Sequence, residues 1–202
     1  MADVLLTTTS TEVAVGSTAA AVASSLLAGE RYKFASSTAC WIRQGTCIKV
    51  TFVAKASLVD GETFTLTLGL SKTPTTYEFD VAGDGVKSGN VQINVSAVTT
   101  AIQIAGLART AILAAQTALN VTDNGDGTLT IEAPDIVMSF SETVANGTFA
   151  AANQAVPATA GAGSCYVPAN TIVDINGDQG PQLGVIQDAV AGKASATRVR
   201  SY

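Results

Sequence analysis

Two short stretches far apart in the chain share one pattern. Residues 37–45 (Ser-Thr-Ala-Cys-Trp-Ile-Arg-Gln-Gly) and 163–171 (Gly-Ser-Cys-Tyr-Val-Pro-Ala-Asn-Thr) each set an aromatic residue and a cysteine among apolar or β-branched neighbours. Turn residues stand at their outer ends, so each reads as one short strand. Side by side they would form a β-hairpin. The sequence between them has a different texture and reads as a module inserted at the hairpin tip, where insertion is tolerated because the host's ends stay close together. The expected fold class is mainly β. A discontinuous β-sandwich or jelly-roll-like domain, residues 1–46 plus 160–202, hosts an inserted α+β domain at 47–159 that contains one helix.

The periodicity along the chain fills in this outline. Residues 3–15 read as one or two strands ending at Gly16-Ser17. The alanine-rich run 18–27 can be drawn as strand or helix. Arg31-Tyr32-Lys33-Phe34-Ala35 alternates strictly and is a strand. In the insert, strands are expected at 47–54, 63–68, 76–81 and 91–95, with turns at Asp60-Gly61-Glu62 and Gly83-Asp84-Gly85. The period then changes. Apolar residues at 101, 104, 105, 108, 112, 115 and 119 follow helical spacing from Thr99 to about Leu119, with Thr99 or Thr100 as the cap. A hairpin at 120–132 turns through Asp123-Asn124-Gly125-Asp126-Gly127. A strand at 136–140 and an Ala/Gly-rich return at 144–163 close the insert. The host resumes at Ser164, with strands at 171–175, 183–187 and 194–199.

Composition narrows the class. Apolar residues make up 47% of the 202, but aromatics only 5%. The core must rest on small and β-branched side chains, which suits thin sandwiches. Charged residues are 13%, about half the usual share. Such Thr/Ser/Val-rich surfaces are often covered by partners. The net charge is −5, and the eleven basic residues are scattered except for Arg198 and Arg200, so no nucleic-acid partner is expected. No apolar run reaches membrane-spanning length. Met1-Ala2-Asp3 is acidic where a signal peptide needs a basic residue, so synthesis in a cytoplasm without a cleaved export signal is expected.

Candidate chemistry is sparse. Histidine is absent, and neither a Gly-x-Ser-x-Gly elbow nor a phosphate-binding glycine loop occurs. The carboxylate pairs Asp60/Glu62 and Asp123/Asp126 sit in glycine-containing turns, where Asp caps backbone groups. No catalytic residue, metal ligand or cofactor is therefore expected, and the chain is read as a non-enzyme. Asp123–Gly127 and Asp174–Gln179 brush against calcium-loop spacing. The second lacks glycine at position six and offers Val185 at position twelve, so both read as turns. Asn94, Asn120 and Asn146 head glycosylation triplets that carry no weight without export. Cys40, Cys47 and Cys165 show no metal-ligand spacing. If the hairpin forms, Cys165 could reach Cys40 or Cys47, and the choice stays open. Trp41, Tyr166, Cys40 and Cys165 are the interface or structural candidates. A lone strand tryptophan is more often a core or interface anchor than a sugar platform.

The stretches LLAGERYKFASSTACWIRQG and GSCYVPANTIVDINGDQGPQLGVIQDAVAGKASATRV resemble a small β-sandwich found in virion proteins of tailed bacteriophages. The insert's DGETFTLTLG, TYEFD, TTAIQIAGLARTAI and NVTDNGDGTLTIEA resemble an α+β module of phage structural proteins. The resemblance implies a virion structural protein whose sites are surfaces. The leading expectation is a capsid decoration (cement) protein on the shell exterior. It would bind the major capsid protein and copies of itself, a trimer fitting local threefold positions. Alternatives are a neck, collar or tail-fibre component, or a glycan-binding module using Phe64, Tyr77 and Phe79 if these are exposed.

Overall fold

The computed structural model describes residues 13–17, 20–23, 26, 30–69, 73–154, 156, 164–176 and 182–199. The expected strands at 3–12 lie outside these residues. The fold is mainly β with a single α-helix among the described residues. The chain divides into two compact units. The first lies within Met1–Cys47, Pro134–Val137 and Gln154–Tyr202, the second within Ile48–Ala133 and Met138–Asn153.

The first unit is a two-sheet sandwich. One sheet orders β1 (Val13–Val15), β15 (Gly192–Val199), β3 (Arg31–Ser36) and β13 (Ile172–Asn176), all antiparallel. The other orders β2 (Ala20–Ala23), β14 (Gln182–Gln187) and the first part of β4 (Cys40–Thr51), with β12 (Cys165–Val167) on the far edge of β4. Within the alanine-rich run, Ala20–Ala23 is thus a strand. Alternation places Tyr32, Phe34, Cys40, Ile42, Val167, Ile175, Leu183, Val185 and Ala194 in one core between the sheets. Phe34 is its one phenylalanine, so small and branched side chains do fill this sandwich.

The second unit departs from the expected core of small and β-branched side chains, because five of the six phenylalanines gather in it. Phe52, Phe64, Phe79, Phe140 and Phe149 contact one another with ring centroids 5.4–6.5 Å apart, and Tyr77 stacks on Phe64 at 4.9 Å. Burying each such ring is worth about 1.5–3 kcal/mol. One sheet orders β10 (Met138–Glu142), β5 (Thr63–Leu68), β6 (Thr73–Asp80) and β7 (Val91–Asn94). The end of β4, residues 48–51, pairs with β11 (Ala150–Asn153). The hairpin of β8 (Asn120–Asp123) and β9 (Thr128–Pro134) turns at 124–127. Helix α1 (Ala101–Ala115) buries Ile104, Ala105, Ala108 and Ile112 as one stripe. Thr100 Oγ1 accepts the Gln103 N–H while Gln103 Oε1 accepts the Thr100 N–H, a capping box.

Three expected boundaries are corrected. The helix stops at Ala115 rather than near Leu119, because Gln116 turns inward and donates through Nε2 to Thr75 Oγ1 at 2.8 Å. Strand β4 runs unbroken through Gly45-Thr46, where sequence suggested a break. Residues 150–153, expected as part of an irregular return, form β11.

Candidate interaction face and carboxylate clamp

The four candidates from sequence divide between two faces of one strand pair. β12 pairs antiparallel with β4, setting Tyr166 opposite Trp41, Cys165 opposite Ile42 and Val167 opposite Cys40. On the other side of β4, Ile186 is opposite Trp41. Trp41, Tyr166 and Ile186 therefore form one cross-strand row on the face turned away from the sandwich core. The Trp41 and Tyr166 ring centroids lie 5.1 Å apart at 58°. Trp41 Nε1 donates to Asp188 Oδ1 at 3.0 Å, which fixes the indole in place. Tyr166 is 46% exposed and Trp41 half-buried. The pair is pre-set and accessible.

Cys40 lies on the opposite face, fully buried. Burial pushes its thiol pKa up, a hydrogen bond with Ser36 opposing this only in part. Cys47 is also buried, Cys165 is exposed, and all three are free thiols. The register explains why Cys40 and Cys165 stay apart. They are diagonal neighbours, about 7–8 Å from each other, whereas a disulfide needs Cβ atoms about 3.5–4.5 Å apart.

Between β13 and the facing strands β4 and β14 lies an open cleft of about 630 Å³. Its apolar lining includes Ile42, Val173, Ile175 and Leu183, with Cys165 at its side. Gln44 Nε2 donates to the Asn176 carbonyl at 2.6 Å, linking the two sheets. Its polar lining includes Arg43, Asp135, Ser164 and Asp174.

The buried carboxylates of the second unit have a different task. Strands β6 and β7 run parallel, Tyr77 beside Val91 and Phe79 beside Ile93, joined only by the loop 81–90. A parallel return normally needs a longer crossover, usually a helix. Here the side chains of β6 hold the loop. Asp80 Oδ1 accepts the N–H groups of Gly83 and Asp84, and Oδ2 accepts from Gly85 N–H and Gln92 Nε2. Glu78 accepts from the Lys87 N–H and from Asn90 Nδ2. Asp60 Oδ1 accepts from the N–H groups of Val81 and Ala82. Gly83 and Gly85 take φ of 84° and 106°, which only glycine enters readily. Burial raises the Asp80 pKa, but the four donors outweigh it and hold the group below the usual carboxylate range.

Sequence reading weighed Asp60/Glu62 and missed this arrangement. Carboxylate oxygens of Asp60, Asp80 and Asp84 lie within 4.8 Å of one another. Asp60 Oδ1 and both Asp80 oxygens accept backbone or amide donors, and so clamp the loop. The Asp123–Gly127 stretch is likewise a turn. Asp123 Oδ1 accepts the Gly125 N–H, and Asp126 Oδ1 accepts from Thr128 N–H and Oγ1. Phe64, Tyr77 and Phe79 are fully buried, so they form no exposed platform for a glycan.

No protein-family model and no curated protein sequence matches the chain. Among solved structures it is similar to the D1-D2-D3 domains of the flagellar cap protein FliD from Escherichia coli. That match has 12% identity and a TM-score of 0.33, covering 96% of this chain and 58% of that one. The FliD D2-D3 domains match at 11% identity and a TM-score of 0.35, covering 97% of this chain and 100% of that one. The chain spans 58% of the length of the first of these structures. Likeness at this level carries no argument about activity.

Proposed function

We propose that the chain is a non-enzymatic structural protein of a bacteriophage particle. Within that class we favour a capsid decoration protein that binds the major capsid protein on the shell exterior and associates with copies of itself, as a trimer at local threefold positions. In this reading residues 1–46 plus 160–202 form the shell-binding domain, and 47–159 form an inserted domain offered to neighbouring copies.

One observation carries the proposal. Trp41 and Tyr166 stand side by side on an outward sheet face, the indole fixed by Asp188. Rigid aromatic anchors with one apolar body and one hydrogen-bonded edge are what protein interfaces use as hot spots. The low charge content supports the same reading. So does the use of Asp60, Glu78 and Asp80 as loop clamps, since these carboxylates hold backbone rather than face a substrate.

Binding of the purified chain to particles stripped of it tests the proposal. Saturable binding is expected, weakened by Trp41→Ala and by Tyr166→Ala, each by about 2 kcal/mol if the residue is a hot spot. Circular dichroism verifies that the variants fold, and Tyr166→Ala perturbs the core least. Absence of binding by the folded wild type, or full binding by both folded variants, contradicts the proposal.

A further inference from the structure

The second unit holds two Asn-Gly sequences, Asn124-Gly125 and Asn146-Gly147, in contrasting surroundings. An asparagine followed by glycine can cyclise without an enzyme. The glycine amide nitrogen gives its proton to solvent base and attacks the asparagine Cγ. A new N–C bond forms, the Cγ–Nδ2 bond breaks, and the side-chain nitrogen leaves as ammonia. Water then opens the five-membered imide at either carbonyl, giving aspartate or isoaspartate. No redox partner is needed.

At Asn124 every participant is tied down. Its Nδ2 donates to Thr128 Oγ1 at 2.9 Å and to Thr130 Oγ1 at 3.2 Å. Its own N–H donates to the Thr128 carbonyl, and the Gly125 N–H is held by Asp123 Oδ1 at 2.9 Å. Attack would have to break this set together.

Asn146 is arranged the other way. Its Oδ1 accepts the Thr148 N–H at 3.0 Å, and its backbone carbonyl accepts the Phe149 N–H at 2.9 Å. These two bonds close the turn over residues 146–149. The Thr148 N–H is then in place to stabilise the negative charge that develops on Oδ1 during attack, as an oxyanion donor does. The reacting groups belong to adjacent residues, so little orientational freedom remains to be lost. The Gly147 N–H has no acceptor among the described residues, and nothing lies within 4 Å of the place a Cβ would take there.

We propose that Asn146 is a self-modification site, converting spontaneously to aspartate and isoaspartate, while Asn124 is protected by its hydrogen bonds. The product matters for packing. Isoaspartate adds a backbone atom to the 146–149 turn, which sets Phe149 into the aromatic core. The inserted unit thereby carries an ageing mark that adds negative charge and loosens one core ring. This goes beyond the structural role proposed above and does not depend on it.

Peptide mapping by mass spectrometry on the full folded chain, aged in mildly alkaline buffer, tests the proposal. The expected result is amide-to-acid conversion at Asn146, with both isomers, at least about tenfold faster than at Asn124, equal to about 1.4 kcal/mol in barrier. A urea-denatured sample should convert both sites at similar rates. Gly147→Ala, which the open space accommodates, should slow conversion at 146 several-fold. Retention of the amide at 146 while the denatured sample converts, or equal conversion of the two sites in the folded chain, overturns the proposal.

Discussion

The carboxamide of Gln182 takes the place of a neighbouring strand for Cys47. Its Oε1 accepts the Cys47 N–H at 2.6 Å and its Nε2 donates to the Cys47 carbonyl at 3.0 Å. Gln182 is the first residue of β14, and the backbone ladder to β4 ends at its pairing with Gly45. One fully buried side chain thus extends the ladder beyond the end of its own strand. Gln182→Leu keeps the bulk and removes both bonds, while the Cys47 carbonyl keeps the Gln154 N–H at 2.9 Å. It should destabilise the protein by about 1–2 kcal/mol in denaturant titration, mainly through the Cys47 N–H. A variant within a few tenths of wild type would show that the amide is dispensable.

Gly184 is required by a different contact. A Cβ built there would lie 2.0 Å from the Val156 carbonyl oxygen, a backbone atom that cannot swing aside. Gly184→Ala should therefore displace the segment around Val156 and cost about 1–3 kcal/mol. Gly16 has nothing within 4 Å of its Cβ position, so Gly16→Ala serves as the control.

Much of this architecture is legible in the chain, and the exceptions share a cause. Thr63–Leu68 alternates strictly and is the strand it promises to be, and Thr100 announces the helix start through Gln103. What sequence hides is set by partners distant in the chain. The helix end depends on Gln116 meeting Thr75, and Gly45 stays in a strand because Gln182 pairs beside it. Ala150-Ala151-Ala152 has little strand propensity of its own and becomes β11 by pairing with β4. Among the site residues, a shared pattern marked Trp41 and Tyr166, and the register sets them side by side. The clamp formed by Glu78 and Asp80 was not legible. Period-two alternation places them on a strand but does not reveal buried carboxylates holding a loop.

Tyr77 carries a buried hydroxyl without a hydrogen-bond partner among the described residues, and burial pushes its pKa up. Tyr77→Phe removes the unsatisfied group and keeps the ring stacked on Phe64. Thermal unfolding should show the variant at least as stable as wild type, and more stable by about 1 kcal/mol. A clear loss would mean that the hydroxyl has a bonded partner.

The clamp predicts a pH response with a definite sign. The Asp80 pKa is lowered in the folded state, because its donors outweigh a burial that acts to raise it. Asp126 is lowered by the Thr128 hydroxyl, against partial desolvation, with help from the Thr128 N–H and Lys49. Groups depressed on folding contribute stability above their unfolded value, near 3.9, and lose it as pH falls through the folded value. Stability should hold from neutral pH down to about 4 and then fall. Asp80→Asn should be less stable than wild type at neutral pH, and the difference should shrink in acid. Parallel stability curves for the two proteins would remove Asp80 from the account.

Thiol accessibility separates the three cysteines. A thiol reagent should label Cys165 rapidly in the folded chain, while Cys40 and Cys47 react only on unfolding. Fast native labelling of Cys40 would contradict its placement between the sheets.

Whether the chain decorates a shell, as proposed, is decided by counting. Quantitative mass spectrometry on purified particles gives its copy number relative to the major shell protein. One copy per shell subunit, or a fixed large fraction of that, is expected, as symmetric decoration requires. A small copy number would contradict decoration and move the chain to the neck or tail. Absence from the particles would contradict the virion assignment altogether.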